Sequence, residues 1–386
     1  MKSFFQRTAC VAAFGLLLTS VFGCGTGNTE EALEEVQTAE TSECEETVVE
    51  QLAGTEQTEE SEEREPTVTE VVISLAGDCT LGNAQVQGYD GTFNQMYDIK
   101  QDPSYFFQNV KDIFSQDDMT LVNFEGVLTD SNERVEKEYN MKGRHEYNQI
   151  LVEGDIEAVS LGNNHRMDYG EEGLADTLAA LDEISMVYAY DDVLGIYETK
   201  EGIRIGFVSV NEVYDEELVE TFLEEGMKKL REDEVNLVIA CCHWGEELEY
   251  YPEEYQITLG HKCIDWGADL VVGCHPHVLQ GFEYYQGKYI IYSLGNFCFG
   301  GNRNPKEKDT MIVQAEFTLE DGVPVGEAEL TVIPCTISSV SDRNDFCPTV
   351  AGERKRAEII RELNQYSEQF LVTVDEDGKV IGGNAE

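Results

Sequence analysis

The chain has 386 residues, enough for one large core of roughly 250 to 300 residues plus tails. Its 77 acidic and 26 basic side chains give a formal charge of −51 at pH 7, which speaks against nucleic acid or an anionic membrane surface as a partner held by bulk electrostatics. An acidic surface keeps a chain soluble, and an anionic substrate would then need local help, which bound divalent cations supply by reversing the field around them.

In chain order, Lys2 and Arg7 precede an apolar stretch from Ala9 to Phe22, and Gly23-Cys24 follows, the layout of a secretory signal. Gly23 before Cys24, with Val21 upstream, resembles a bacterial lipobox, although Phe22 is bulkier than the small residue usual there. The likeness implies a signal peptide over residues 1–23 and a lipid anchor at Cys24, hence an extracytoplasmic protein held at the cell membrane. A plain signal peptide cut nearby is the alternative. Residues 24–66 are dominated by Glu, Thr, Ser and Gln, with Arg64 as the only basic residue and no aromatic one. Such a segment cannot bury enough apolar area to offset its ordering entropy, so it is expected to be a disordered acidic spacer. No later stretch reaches the 18 or so apolar residues of a spanning helix.

The globular part opens with a β-rich run from Val68 to Ala76 ending at Gly77-Asp78, followed by Met119 to Asn123 ending at Glu125 and Ala158 to Leu161 ending at Asn164-His165. Leu174, Leu178 and Leu181 give the segment Glu171 to Ile184 helical spacing. Strands are expected at Ile203 to Val210 and Val235 to Ala240, framing a helix from Glu216 to Arg231, and a helix from Glu254 to Trp266 leads into Asp269 to Val272. This alternation predicts an α/β domain with parallel strands. After His277 the pattern turns antiparallel: Phe282 to Tyr285 and Tyr289 to Ser293 around Gly287-Lys288, then Met311 to Thr318 and Glu327 to Val332 around Glu320-Asp321-Gly322. A charged amphipathic helix from Gly352 to Phe370 and a closing hairpin, Leu371 to Val374 with Lys379 to Ile381, form an extension over residues 346–386, leaving 67–345 as the main domain.

Four of the six histidines fall at strand ends: His165, His243, His275 and His277. Sites in open α/β sheets form where the carboxyl ends of strands meet, so these side chains are expected to converge with Asp78, Glu125 and Asn164. Carboxylate, amide and imidazole donors suit divalent ions such as Zn, Mn or Fe, one or two of them. A carboxylate such as Glu125 can bridge two metals, and a histidine beside the ligands can protonate a leaving group. Asn163-Asn164-His165 alone also fits turn chemistry, and His275 and His277 alone fit structural imidazoles. Trp244 reads as a packing wall, His145 and His261 as surface residues, and Ser293 to Phe297 as a pocket-shaping strand end without chemistry. Of eleven cysteines, none forms a CxxC pair, and most lie in predicted core elements; Cys335 and Cys347 flank a loop and are the one disulfide candidate.

Together these motifs resemble the bacterial poly-γ-glutamate capsule-synthesis (CapA) family, related to the calcineurin-like metallophosphoesterases. The resemblance rests on Gly77-Asp78, Asn123-Phe124-Glu125, Asn163-Asn164-His165 with Asp168 and Gly170, His243-Trp244-Gly245-Glu246-Glu247, Gly273-Cys274-His275-Pro276-His277-Val278-Leu279-Gln280 and Ser293-Leu294-Gly295-Asn296-Phe297, and it covers about residues 70 to 335. It implies a four-layer αββα sandwich with mixed sheets. Asp78 and His277 would serve one metal, Glu125 would bridge, and Asn164, His243 and His275 would serve the other, with His165 as the acid positioned by Asp168. The phosphoesterase pattern Asp-x-His appears here as Asp78-Cys79-Thr80, so one ligand of the first metal is missing or replaced. The implied function is a metal-dependent hydrolase in synthesis, attachment or release of an anionic envelope polymer, with a membrane synthase or exporter as partner and Arg303, Lys306 and Lys308 as a local grip on the polyanion. The rival readings are a non-catalytic lipoprotein subunit of such a machine and a nucleotidase-like phosphoesterase.

Overall fold

The computed structural model describes residues 64–213 and 216–382. The signal, the lipobox at Cys24 and all but the last three residues of the acidic spacer lie outside the described residues. Among the described residues no helix is long and apolar enough to cross a membrane.

Two sheets form the centre. In the first, the order is Thr349–Val350, Val323–Thr336, Asp309–Glu320, Val68–Thr80, Met119–Phe124, Ala158–Ser160 and Val187–Ala189, with Asn296–Phe299 added beside Val68–Thr80. In the second it is Phe282–Tyr285, Lys288–Ile291, Leu270–Cys274, Leu237–His243, Arg204–Asn211 and Gly195–Glu198. Strand Val68–Thr80 runs parallel to Met119–Phe124 and antiparallel to Asp309–Glu320, so the sheet is mixed. Its middle is buried on both faces, which is why it reads as a near-continuous apolar run rather than an alternation.

The side chains facing inward explain the layering. Ile73, Leu75 and Leu121 of the first sheet share one core with Phe207, Ile239 and Leu270 of the second. The other face of the first sheet packs Val122, Val159 and Phe297 against Phe106, Ile150 and Leu181, the last from helix Gly170–Asp182. The other face of the second sheet packs Val208, Val238 and Val271 against helices Glu216–Glu232 and Glu254–Asp265 through Leu223, Met227, Leu230, Leu259 and Cys263. Helices therefore cover both outer faces, giving the expected αββα sandwich. Fully burying each such large apolar side chain contributes about 1.5–3 kcal/mol, so the inter-sheet core fixes the sheets' relative position and with it their polar ends. Helix Glu353–Ser367 adds Ile359, Ile360 and Leu363 to that same core, and the hairpin of Thr373–Val374 and Val380–Ile381 adds Val374 and Val380.

Cys335 and Cys347 are separate thiols, which corrects the disulfide expectation. Cys335 Sγ lies 3.4 Å from the carbonyl of Ile333, while Cys347 Sγ sits 3.2 Å from the carbonyl of Tyr105 and accepts from Asn109 Nδ2 at 3.3 Å. Both are buried and behave as small core residues.

Candidate metal centre

The parallel strands of both sheets end on one side of the sandwich. Asp78 lies near the end of Val68–Thr80, Glu125 follows Met119–Phe124, and Asn164 and His165 follow Ala158–Ser160. From the second sheet, His243 ends its strand, and His275 and His277 follow Leu270–Cys274. His275 and His277 have φ of 99° and 58°, a left-handed conformation that side chains rarely adopt, on either side of Pro276. Strain of this kind persists where the surroundings hold it and collects at functional sites.

These residues assemble into two triads that share Glu125: Glu125, His243 and His275, and Asp78, Glu125 and His277, each with donor atoms within 4.8 Å of one another. His243 Nε2 stands 3.7 Å from Glu125 Oε1, 3.1 Å from His275 Nδ1 and 3.2 Å from Asn164 Oδ1. In the other triad His277 Nε2 is 3.8 Å from Glu125 Oε1, and His277 Nδ1 is 3.1 Å from Asp78 Oδ2. Ligand atoms about 2.0–2.1 Å from one tetrahedral ion lie about 3.3 Å apart, close to the separations of His243 Nε2 from His275 and Asn164. All six metal-ligand residues expected from the sequence thus come together.

The polar balance fits an ion as well. Glu125 is fully buried, and neither of its carboxylate oxygens has a hydrogen-bond partner; Asp78 Oδ2 is in the same condition. Buried carboxylates without partners are costly unless a cation balances them. Burial pushes the Glu125 carboxyl up to about 8, with Asp78 adding to the rise and His277 opposing it. Burial also drives His243 well below the ordinary imidazole range and His275 down to about 3, each reinforced by neighbouring histidines, which leaves neutral rings suited to a metal. For His277 burial acts in the same direction, but the carboxylates of Glu125 and Asp78 outweigh it and raise it to about 10.

His165 belongs to neither triad. Its Nδ1 lies 2.6 Å from Asp168 Oδ2, and its Nε2 faces Glu125 Oε1 at 3.7 Å. The short contact to the carboxylate places the ring proton on Nδ1 and leaves Nε2 directed at the centre. Burial lowers its basicity against the opposing pull of Asp168.

Three participants were given no role from the sequence, two of them although they stand in quoted motifs. Lys137, from the irregular loop between Leu128 and Met141, places Nζ 2.8 Å from Asp168 Oδ1, 2.9 Å from the carbonyl of Asn164 and 3.2 Å from His165 Nδ1. Asn123 donates to Asp78 Oδ1 at 2.7 Å and also lies 3.3 Å from His243 Nδ1. Asn296, within a motif read as shaping the pocket, contacts His277 twice. Trp244 is fully buried and stacks on Tyr292, donating to its carbonyl at 2.9 Å, a packing role as expected. His145 pairs with Glu183 at 2.7 Å at the surface, while His261 is half-buried between Glu283 and Tyr285. Of the expected polyanion grip, Arg303 donates to the carbonyl of Asp90 and Lys308 to those of Ser341 and Arg343, so both serve loop structure; Lys306 is exposed.

The chain matches the family described as bacterial capsule synthesis protein PGA_cap over residues 72–301 and belongs to that family. The capsule biosynthesis protein CapA of Bacillus anthracis is 30% identical over 264 residues, covering 62% of this chain and 63% of that protein, a little under two thirds of its length. The PGA biosynthesis protein CapA of Bacillus subtilis is 29% identical over 299 residues, covering 71% of this chain and 74% of the relative. Among solved structures, the calcineurin-like phosphoesterase YfkN from Bacillus subtilis aligns with a TM-score of 0.45 at 14% identity, over 79% of this chain and 97% of that one.

Proposed function

We propose that this capsule-synthesis family member is a metal-dependent hydrolase acting on an anionic envelope polymer such as poly-γ-glutamate, or on a phosphoester in its synthesis, attachment or release. It would work outside the cytoplasm, anchored through Cys24, beside a membrane synthase or exporter. The observation that carries the reading is His165. It is held by Asp168 and aimed at Glu125 without joining either triad, an arrangement a purely structural metal site does not need.

Asp78, Glu125 and His277 would hold one divalent ion, and Glu125, His243 and His275 with Asn164 a second. Ions bound there would supply Lewis-acid polarisation of the scissile group and of water. The chain's own residues do the rest. Asp168 fixes the His165 tautomer, and Lys137 ties that carboxylate to the backbone of Asn164. His165 Nε2 is then positioned to exchange a proton with the reacting group.

The rival reading, a non-catalytic lipoprotein subunit, draws on Thr80, which stands in the first strand where the related phosphoesterases carry a histidine. Replacing His165 by Asn distinguishes the two. Lost polymer output or hydrolysis, with metal content and melting temperature unchanged, is the outcome expected of catalysis. Unchanged output would favour the scaffold.

A further inference from the structure

We propose that Asn296 is the positioning residue of the Asp78 half of the centre: it fixes the ring of His277 so that Nε2 is presented to Glu125, in a half-site that lacks the histidine found at position 80 in related phosphoesterases. The inference rests on the metal reading above and names a residue for it outside both triads.

The geometry is local and two-sided. Asn296 Oδ1 lies 3.0 Å from His277 Nδ1, and Asn296 Nδ2 donates to the carbonyl of His277 at 3.0 Å, so one amide holds both the ring and the backbone of this residue. An amide oxygen accepts only, so Nδ1 keeps its proton and Nε2 is the nitrogen whose proton a bound ion would displace. Nε2 faces Glu125 Oε1 at 3.8 Å. Asp78 Oδ2 is also 3.1 Å from Nδ1, but it has no hydrogen-bond partner, which leaves Asn296 as the aligned acceptor. His277 has a positive φ, and a residue held in that conformation needs such an outside tie.

The placement of Asn296 is itself built. Strand Asn296–Phe299 joins the first sheet beside Val68–Thr80, pairing Asp78 with Asn296. A Cβ at Gly77 would stand 1.9 Å from the carbonyl oxygen of Gly295, and Asp78 donates its N–H to that same oxygen at 2.9 Å. Only glycine at 77 lets the two strands meet closely enough to set the Asn296 amide against the candidate ligands. Thr80, fully buried, has a hydroxyl oxygen without a partner, so position 80 supplies no imidazole and His277 is the sole nitrogen donor of this triad. Its orientation then carries more of the half-site's affinity than in a centre with two histidines.

The test measures metal stoichiometry and affinity, with Mn and Zn separately, on the wild-type protein, Asn296→Leu, Asn296→Asp and His243→Ala. Far-ultraviolet circular dichroism and melting temperature establish folding for each. The expected result is about two equivalents for the wild type. In Asn296→Leu one site should weaken about 10–100-fold, the range typical when a ligand's orienting partner is lost, and the other should not change. Asn296→Asp, which keeps the acceptor, should hold both ions. If Asn296→Leu does not fold, the comparison moves to Asn296→Asp and to ring-nitrogen NMR of the metal-loaded wild type, which must show His277 protonated at Nδ1. Two equivalents at unchanged affinity in folded Asn296→Leu, or His277 protonated at Nε2, would overturn the assignment while the metal reading stands. A wild type that binds neither ion would overturn both, and His243→Ala, which should lose the other ion, shows that the assay resolves the two sites.

Discussion

At the scale of single residues, Glu125 concentrates the site's cost and its purpose. It is fully buried with both oxygens unpartnered, and burial holds its carboxyl at about 8. If the two triads hold ions, Glu125→Gln is expected to abolish that binding and yet, when each protein is stripped with chelator at pH 9, to melt higher than wild type, because above about 8 a neutral amide replaces an unbalanced buried carboxylate. Calorimetry of the two proteins with and without metal checks both halves of that statement. Lys137 makes a separate prediction. Lys137→Met leaves the Asp168 oxygen without its cation, so urea unfolding should report a loss of about 2 kcal/mol. The sequence exposed Asp78, Glu125 and the histidines because each follows an apolar run that announces a strand end. Lys137 has no such marker, since it sits in a loop without periodicity and reaches its partners only through tertiary structure. Asn296 stood in a visible motif, but its role depends on pairing with Asp78, more than two hundred residues earlier, which no local pattern encodes.

At the scale of elements, the end of strand Met119–Phe124 opposite the metal centre carries an acidic group of its own. Burial raises Glu157 to about 7 and Asp117 to about 6, with Asp155 adding to both rises. The folded chain therefore keeps a proton on Glu157 that the unfolded chain releases near its ordinary value of about 4.3. Stability attributable to this residue falls as pH rises between those values and is level above about 7. Glu157→Gln keeps an acceptor for the Thr120 N–H, bonded at 2.8 Å in the wild type, and should lessen the fall of the melting temperature between pH 5 and 7.5, leaving the part due to Asp117 below about 6, while raising it at pH 8. The approach of two strands at Gly77 yields another expectation: Gly77→Ala should cost about 1–3 kcal/mol or more and weaken metal binding, read by urea unfolding and metal titration. Strand and helix positions were largely legible from periodicity, within a few residues. The division of the strands into two sheets was not, because apolar strands buried on both faces look alike whichever sheet they join, and here the family likeness supplied what the pattern lacked.

At the scale of the whole molecule, the sandwich owes its rigidity to one core shared by both sheets and by helix Glu353–Ser367. Ending the chain at residue 345 would uncover partners of Ile359, Ile360 and Leu363, so that truncation should aggregate or lose its cooperative melting transition. A chain beginning at Arg64 keeps every described element and should melt within a few degrees of the full-length protein.

The candidate ligands divide between the sheets: Asp78, Glu125 and Asn164 come from one, and His243, His275 and His277 from the other. Neither sheet alone can close a coordination shell, so an ion gains its full affinity only after the two have docked. An ion bound there would act as a latch on a finished structure rather than a seed for it. In kinetic terms, metal should slow unfolding and leave the refolding rate almost untouched, since the stabilising bonds are absent from the transition state. Stopped-flow refolding and unfolding with and without chelator would separate the two rates. If the centre holds metal, then wherever unfolding is followed by irreversible loss the working lifetime of this protein would be set by the supply of metal in its surroundings.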